Sequence, residues 1–283
     1  MWFVWALISF VTFGMSGFLM KTSSVQKGSM IHTLWGIYLS GTLGFALWTF
    51  LTGSFRFDLP VLLGGLAVGL GSAAGNWLFM MALARGPASL TSPLVNTNIL
   101  LIIAFSVAFY GERLSPTEWT GVTLLILAVF LIPIDPDETL AIRDRIWYGL
   151  VTAATIAFTF RNGGLKVTDE RGMAGEIVLM YGYLFSLLWM SVELWRKRSS
   201  RETAEAVRTG LRWGITAGFF SFIGMQFYAI ALIDGPASIV APVFAANSLV
   251  VALLSILFFK ERLSRLQTIA LILLIAGLIL SRI

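Results

Sequence analysis

Cysteine is missing from this chain altogether, and histidine occurs once. The first absence excludes disulfides, thiolate metal sites and cysteine nucleophiles, and leaves the redox compartment unspecified. One histidine cannot build the HExxH zinc pattern, and His32, at the start of an apolar run, reads as interfacial rather than as a proton relay. No glycine-rich loop ends in Lys-Ser or Lys-Thr, so the chain has no means of hydrolysing ATP. Charge is scarce too, at 12% of 283 residues, and carboxylates avoid the apolar runs except at Glu176 and Glu193, both near run ends. Proton-driven carriers often use an intramembrane Asp or Glu. Their scarcity favours uniport or exchange over proton coupling, with Glu176 the candidate if a proton is carried. Neither enzymatic activity, a cofactor nor a metal is expected.

What is present is apolar surface. Hydrophobic residues make up 57% of the chain, mean hydropathy is +0.84, and there are 22 Phe and 10 Trp. That is more than a soluble core needs, so most of the surface must meet lipid. Apolar runs long enough to span a bilayer as helices fall at 2–20, 31–52, 61–84, 88–110 and 117–134, and again at 147–166, 175–195, 211–233, 237–259 and 266–281. Trp2, Trp35, Trp119, Trp147 and Trp213 sit where runs begin or end and read as interfacial anchors. The first run has neither a basic region before it nor a small-residue cleavage site after it, which reads as a mature helix. The 195–212 connection, WRKRSSRETAEAVRTGLR, has room for a short amphipathic helix at the bilayer surface. A net charge of +5 suits contact with anionic lipid and requires no nucleic acid.

The chain also repeats itself. GPASLTSPLVNTN at 86–98 returns as GPASIVAPVFAAN at 235–247, and YGERLS at 110–115 returns as FKERLS at 259–264, so 13 of the 30 positions over 86–115 are identical at one offset. Upstream, Gly69 matches Gly218, Ser72 matches Ser221 and Gly75 matches Gly224. The expected organisation is a five-helix repeat over 1–134, a polar linker over 135–146 and a second repeat over 147–283. Five is odd, so the second copy is inverted in the membrane. The fold class is therefore an all-α integral membrane protein of ten transmembrane helices in two inverted repeats, with a solute site where they meet. Loops on the face opposite the termini hold about 14 basic residues and the termini's face about 5, which favours external termini.

The GPAS turns followed by Pro93 and Pro242, with GERLS and KERLS each leading into a last apolar helix, resemble the EamA-type branch of the drug/metabolite transporter superfamily. The resemblance covers nearly the whole chain. It implies a ten-helix carrier of amino acids or other small metabolites in a bacterial inner membrane. It also implies cytoplasmic termini, opposite to the charge count.

In GPAS, Gly86 and Pro87, and Gly235 and Pro236, break one helix, while Ser89 and Ser238 can cap the next. Pro93 and Pro242 then fall near a first helical turn, where a missing amide hydrogen costs least. Glu112 with Arg113, and Glu261 with Arg262, read as an ion pair or loop clamp. Gly71 and Gly75 form a small-residue face for close helix approach. Asn98 and Asn247, shared by both copies, are expected to hydrogen-bond between helices.

Polar residues that differ between the copies have no symmetric structural reason to be there. Asn76 faces Met225, Trp77 faces Gln226, and Asn96 is replaced by Ala245. Arg161, with Asn162 after it, stands where the first repeat has Met15, about 21 Å along its helix. An arginine at that depth usually lines a pathway or pairs internally, so Arg161 is expected to hold a carboxylate or phosphate through paired hydrogen bonds. Tyr228 is the preferred aromatic neighbour among Trp48, Trp77, Phe79, Phe160, Tyr181, Tyr183 and Tyr228. The expected substrate-binding set is Arg161, Asn162, Asn76, Trp77, Gln226, Tyr228 and Asn96, and the expected function is alternating-access transport of a small anionic or zwitterionic solute. The alternatives are an exporter of organic cations or drugs and a membrane receptor that carries no flux.

Overall fold

The structure, a computed structural model, describes residues 1–83, 85, 95, 97–131, 145–196, 202–259 and 265–280. Gly86, Pro87, Ser89, Pro93, Asn96, Glu261, Arg262 and most of the 135–146 linker lie outside the described residues. Within them run α1 (Trp2–Val25), α2 (Met30–Leu51), α3 (Leu59–Leu83), α4 (Asn98–Tyr110), α5 (Pro116–Leu131), α6 (Arg145–Glu170), α7 (Gly175–Arg196), α8 (Ala204–Asp234), α9 (Ala237–Ala245), α10 (Asn247–Phe259) and α11 (Arg265–Leu280). By length and apolar content α1, α2, α3, α7 and α8 can each cross a membrane.

Local chemistry sets several boundaries. At the start of α5 the Ser115 amide donates to Glu118 and the Glu118 amide to the Ser115 hydroxyl, a reciprocal cap with Pro116 in the first turn. Helix α4 stops at Gly111, whose left-handed φ of 64° suits glycine. Two boundaries differ from the sequence reading. The short interfacial helix expected in the 195–212 connection is the first part of α8, a single 31-residue helix. Thr203 caps it, and Gly210 and Gly214 press on α2 instead of breaking it. The run at 237–259 is in turn interrupted at Ala246 into α9 and α10. Pro242 lies well inside α9, past its first turn, and cannot donate the bond that would tie it to Ser238.

The helices of each half find their main partners in the other half. Helix α1 packs on α8, and its counterpart α6 packs on α3, the counterpart of α8; likewise α2 packs on α8 and α7 on α3, while α2 meets α7 and α5 meets α11. Such reciprocal exchange is what a pseudo-twofold axis between two repeats produces. The contacts repeat residue by residue. Gly69 lies against the Gly182 backbone and Gly218 against Ile37, close approaches that only small residues allow in a bilayer, where packing must replace the hydrophobic effect. Tyr38 bonds Ser72 at 3.1 Å, and Tyr183 bonds Ser221 at 2.6 Å. The two tyrosine rings meet edge to face at 5.7 Å, where the halves join.

These bonds separate the effects of two similar substitutions. Tyr183→Phe removes one hydroxyl from Ser221 and should cost about 1 kcal/mol. Tyr38→Phe also strands the Asn76 amide, which donates to the Tyr38 hydroxyl at 2.8 Å, and should cost about 2 kcal/mol. Thermal midpoints of the two variants, compared in one detergent, should fall in that order.

One bundle end carries the start of α1 and the turns α2–α3, α4–α5, α6–α7 and α8–α9, and is called the Trp2 face. It is tied by Ser54 to Glu176 and by Tyr181 to the Arg56 carbonyl. The other, the His32 face, is tied by the Ser29 amide to the Ala206 carbonyl, Trp213 to Gln26, and His32 to Glu202. Trp147 departs from its expected interfacial place. It is 1% exposed and packs with Ala82, Val95, Val151 and Phe158 where the end of α3 meets the start of α6.

Candidate functional site

Arg161 is carried on α6, nine residues before its end at Glu170, about 13 Å of helical rise from the Trp2 face. It is 8% exposed and does not snorkel. Phe158, one turn earlier on α6, puts its ring 4.4 Å from the guanidinium carbon, and Phe13 of α1 lies at 5.3 Å. Gly71 of α3 lets α6 come this close, since a Cβ there would meet the Ala157 carbonyl and the Arg161 amide.

The Arg161 Nε donates to Asn162 Oδ1 at 2.9 Å. Asn162 in turn donates to Asn98 Oδ1 at 3.3 Å, and the Tyr228 hydroxyl donates to the Asn162 carbonyl at 3.4 Å. Tyr228 is fully buried with its ring 4.5 Å from Phe244, which stands 4.8 Å from Phe13. Among the described residues no carboxylate pairs with Arg161. Aromatic faces thus compensate the cation in part, about 2 kcal/mol when desolvated, while among the described residues the two terminal nitrogens of the fork have no hydrogen-bond partner.

The structure gathers part of the expected set. Arg161, Asn162, Asn98 and Tyr228 form one connected group, and Asn76 joins the neighbouring pair of Tyr38 and Ser72. Gln226 is elsewhere. Two residues before Tyr228, it is turned about 200° around α8, on the side where Phe222 packs on Gly44 and Phe45 of α2. Its buried Oε1 has no hydrogen-bond partner among the described residues. Trp77 packs against the main core. Trp48 and Phe160 are exposed to the outside of the bundle, Phe160 at 60%, so neither lines the centre.

The pair of shared asparagines also divides. Each donates to the carbonyl three residues back, Asn98 to Val95 and Asn247 to Phe244, satisfying a backbone acceptor at an interrupted span. Asn98 accepts a bond from another helix as well, but the bond made by Asn247 is local. Ser238 does not cap α9 by its own hydroxyl. Pro236 holds the N-cap position, and the Glu112 carboxylate, from the turn between α4 and α5, accepts from the Ala237 amide, the Ser238 amide and the Ser238 hydroxyl.

Several residues of the site carried no clear sequence signal. Phe13 and Phe158 are ordinary apolar positions until the crossing of α1, α3 and α6 brings them over the guanidinium. Tyr38 could have been found by aligning α2 with α7, where it matches Tyr183. Lys166, buried one turn beyond Asn162, pairs with Glu170 at 2.8 Å, points at the Leu232 carbonyl at 3.5 Å and lies 5.9 Å from the Tyr110 ring. On the His32 face a cavity of about 80 Å3 is lined by Met20, Ser23, Gly28, Met30, Thr33 and Met80.

Comparison with known proteins matches residues 1–134 and 146–283 to the EamA-like transporter family. Over 81 residues, 26% of this chain, it is 37% identical to a Sinorhizobium sp protein named "Uncharacterized transporter in cobO 3'region", and the match covers 54% of that protein, so the chain spans about half the length of this curated relative. A crystal structure of another protein, 16% identical, superposes with a TM-score of 0.77 over 97% of this chain and 95% of that one, a likeness of fold.

Proposed function

The chain belongs to the EamA-like transporter family, and on that premise we propose that it carries a small anionic or zwitterionic metabolite, such as an amino acid, across a bacterial inner membrane by alternating access. The observation that carries the substrate class is Arg161, buried where the two halves join, lacking a carboxylate partner among the described residues and offering the open end of its fork. A lone cation near mid-helix costs about 3 kcal/mol in a membrane. A carboxylate taking the fork in two hydrogen bonds offsets that cost. A solute that binds as an anion and leaves again gives the site a reason to hold an uncompensated charge.

A thermal-shift screen of the purified protein with amino acids, organic acids, nucleosides and quaternary amines tests the class. A ligand of the folded state raises the midpoint by mass action, about 2.7 kcal/mol at a hundred times its Kd. An anionic or zwitterionic compound should produce the shift, and the same compound should then cross proteoliposomes containing the protein. Shifts confined to quaternary amines would put the cation exporter in its place, and binding without flux would identify a receptor.

A further inference from the structure

We propose that Glu112 is the latch that holds the Trp2 face closed, a positioning residue in the first repeat that acts on the second. This rests on the alternating-access reading above. Glu112 follows Gly111 at the end of α4, and its two carboxylate oxygens accept three hydrogen bonds from the start of α9: Ala237 N at 2.9 Å, Ser238 N at 2.9 Å and Ser238 Oγ at 2.6 Å. Those amides are the unpaired donors of a helix N-terminus, which carries partial positive charge, so an ionised carboxylate is the strongest cap the site can receive. Pro236, at the N-cap, has no amide of its own to contribute. The cap is therefore supplied across the interface between the halves.

Its position makes this more than a helix cap. From Arg161 toward the Trp2 face, α6 and α8 are joined first by Asn162 to Tyr228, then one turn higher by Lys166 to the Leu232 carbonyl. The next link is Glu112 to Ala237 and Ser238, which ties the α4–α5 turn to the α8–α9 junction. Trp2 of α1 closes on the same junction at Gly235, where an added Cβ would stand 2.9 Å from its ring. Parting α4 and α5 from α9 to uncover Arg161 from this side breaks all three Glu112 bonds together. The sequence types that recur in both halves, GPAS and Glu-Arg-Leu-Ser, are here the two sides of one contact.

The absence of cysteine makes the test clean, because one introduced thiol is the sole target of a maleimide. Two reporters are placed separately: Leu232→Cys, buried beside the route to the Trp2 face, and Met80→Cys, at the cavity on the His32 face. Labelling is measured in nanodiscs with N-ethylmaleimide, which needs no transported solute. Adding Glu112→Gln should raise the labelling rate of Leu232→Cys about tenfold, the population shift from weakening the charge-assisted bonds, while Met80→Cys labels no faster. Ser238→Ala, which removes one bond of the three, should give a smaller rise at the same reporter. Unchanged labelling of Leu232→Cys in both variants overturns the latch, as does a rise at both reporters, which signals general loosening. If Glu112→Gln misfolds, Ser238→Ala decides alone by the same criteria. Proteoliposome flux is scored independently, so an absent flux with the predicted labelling counts against transport and leaves the latch standing.

Discussion

Replacing Arg161 with methionine, the residue the first repeat carries at Met15, is expected to abolish binding of the anionic or zwitterionic solute without unfolding the protein. Removing one partner of a buried, hydrogen-bonded charge pair costs about 2 to 5 kcal/mol of binding, a loss of roughly 30-fold to several thousand-fold. Stability should move the other way or stay level. An unpaired cation at this depth costs about 3 kcal/mol in a membrane, a cost that the apolar side chain removes, and Phe13 and Phe158 are suitable neighbours for a thioether. Arg161→Lys keeps the charge and loses the fork and the Nε bond to Asn162, so it should bind weakly. Titrating all three proteins with the compound found in the screen, and taking each midpoint without ligand, separates the two effects. Undiminished binding by Arg161→Met removes the site as proposed, and a lowered midpoint with normal binding makes Arg161 structural.

The second large effect concerns the glycines at which the halves touch. At Gly218 a Cβ would meet the Ser40 hydroxyl and the Ile37 carbonyl, with the Ile37 Cα at 2.7 Å; at Gly69 it would meet the Gly182 carbonyl, with the Gly182 Cα at 3.0 Å. The atoms in the way are largely backbone and cannot turn aside as a side-chain tip can. Gly69→Leu and Gly218→Leu should each destabilise the bundle by about 3 kcal/mol or more, and similarly, because the contacts are related by the pseudo-twofold. Gly149 is a control on α6, since among the described residues nothing stands within 4 Å of a Cβ there. Gly149→Ala should hold or slightly raise the thermal midpoint through helix propensity, by up to about 1 kcal/mol. If Gly69→Leu and Gly218→Leu run as monodisperse protein with the parent's midpoint, the close crossings are not what holds the halves together.

Much of the architecture could be read from the chain because lipid imposes a simple length rule. A helix needs about 20 apolar residues to cross, every backbone polar group must be satisfied within it, and a repeated motif with an odd helix number inverts its second copy. Ten spans in two repeats follow from these, whereas the likeness to a transporter family rests on the GPAS and Glu-Arg-Leu-Ser motifs. Where the reading went astray, a neighbour absent from the local sequence was responsible. Nothing near Trp147 in sequence says that the end of α3 will cover it. Nothing in GPAS says that Ser238 leaves the capping to Glu112, 126 positions away.

At the centre the division is the same. Comparing Arg161 with Met15, and Asn76 with Met225, marks residues that symmetry does not require, and this needs only the chain. Which of them meet is decided by helix rotation and crossing. Gln226 and Tyr228 are neighbours in sequence, yet 100° per residue turns them to opposite sides of α8, one toward α2 and the other toward Asn162. The sequence by itself determined that the chain lies in the membrane, how often it crosses and that it is built twice, because these depend on composition, length and repetition. Only the tertiary structure decided what surrounds Arg161 and which half caps the other, because those depend on side chains brought together from α1, α4, α6, α8 and α9.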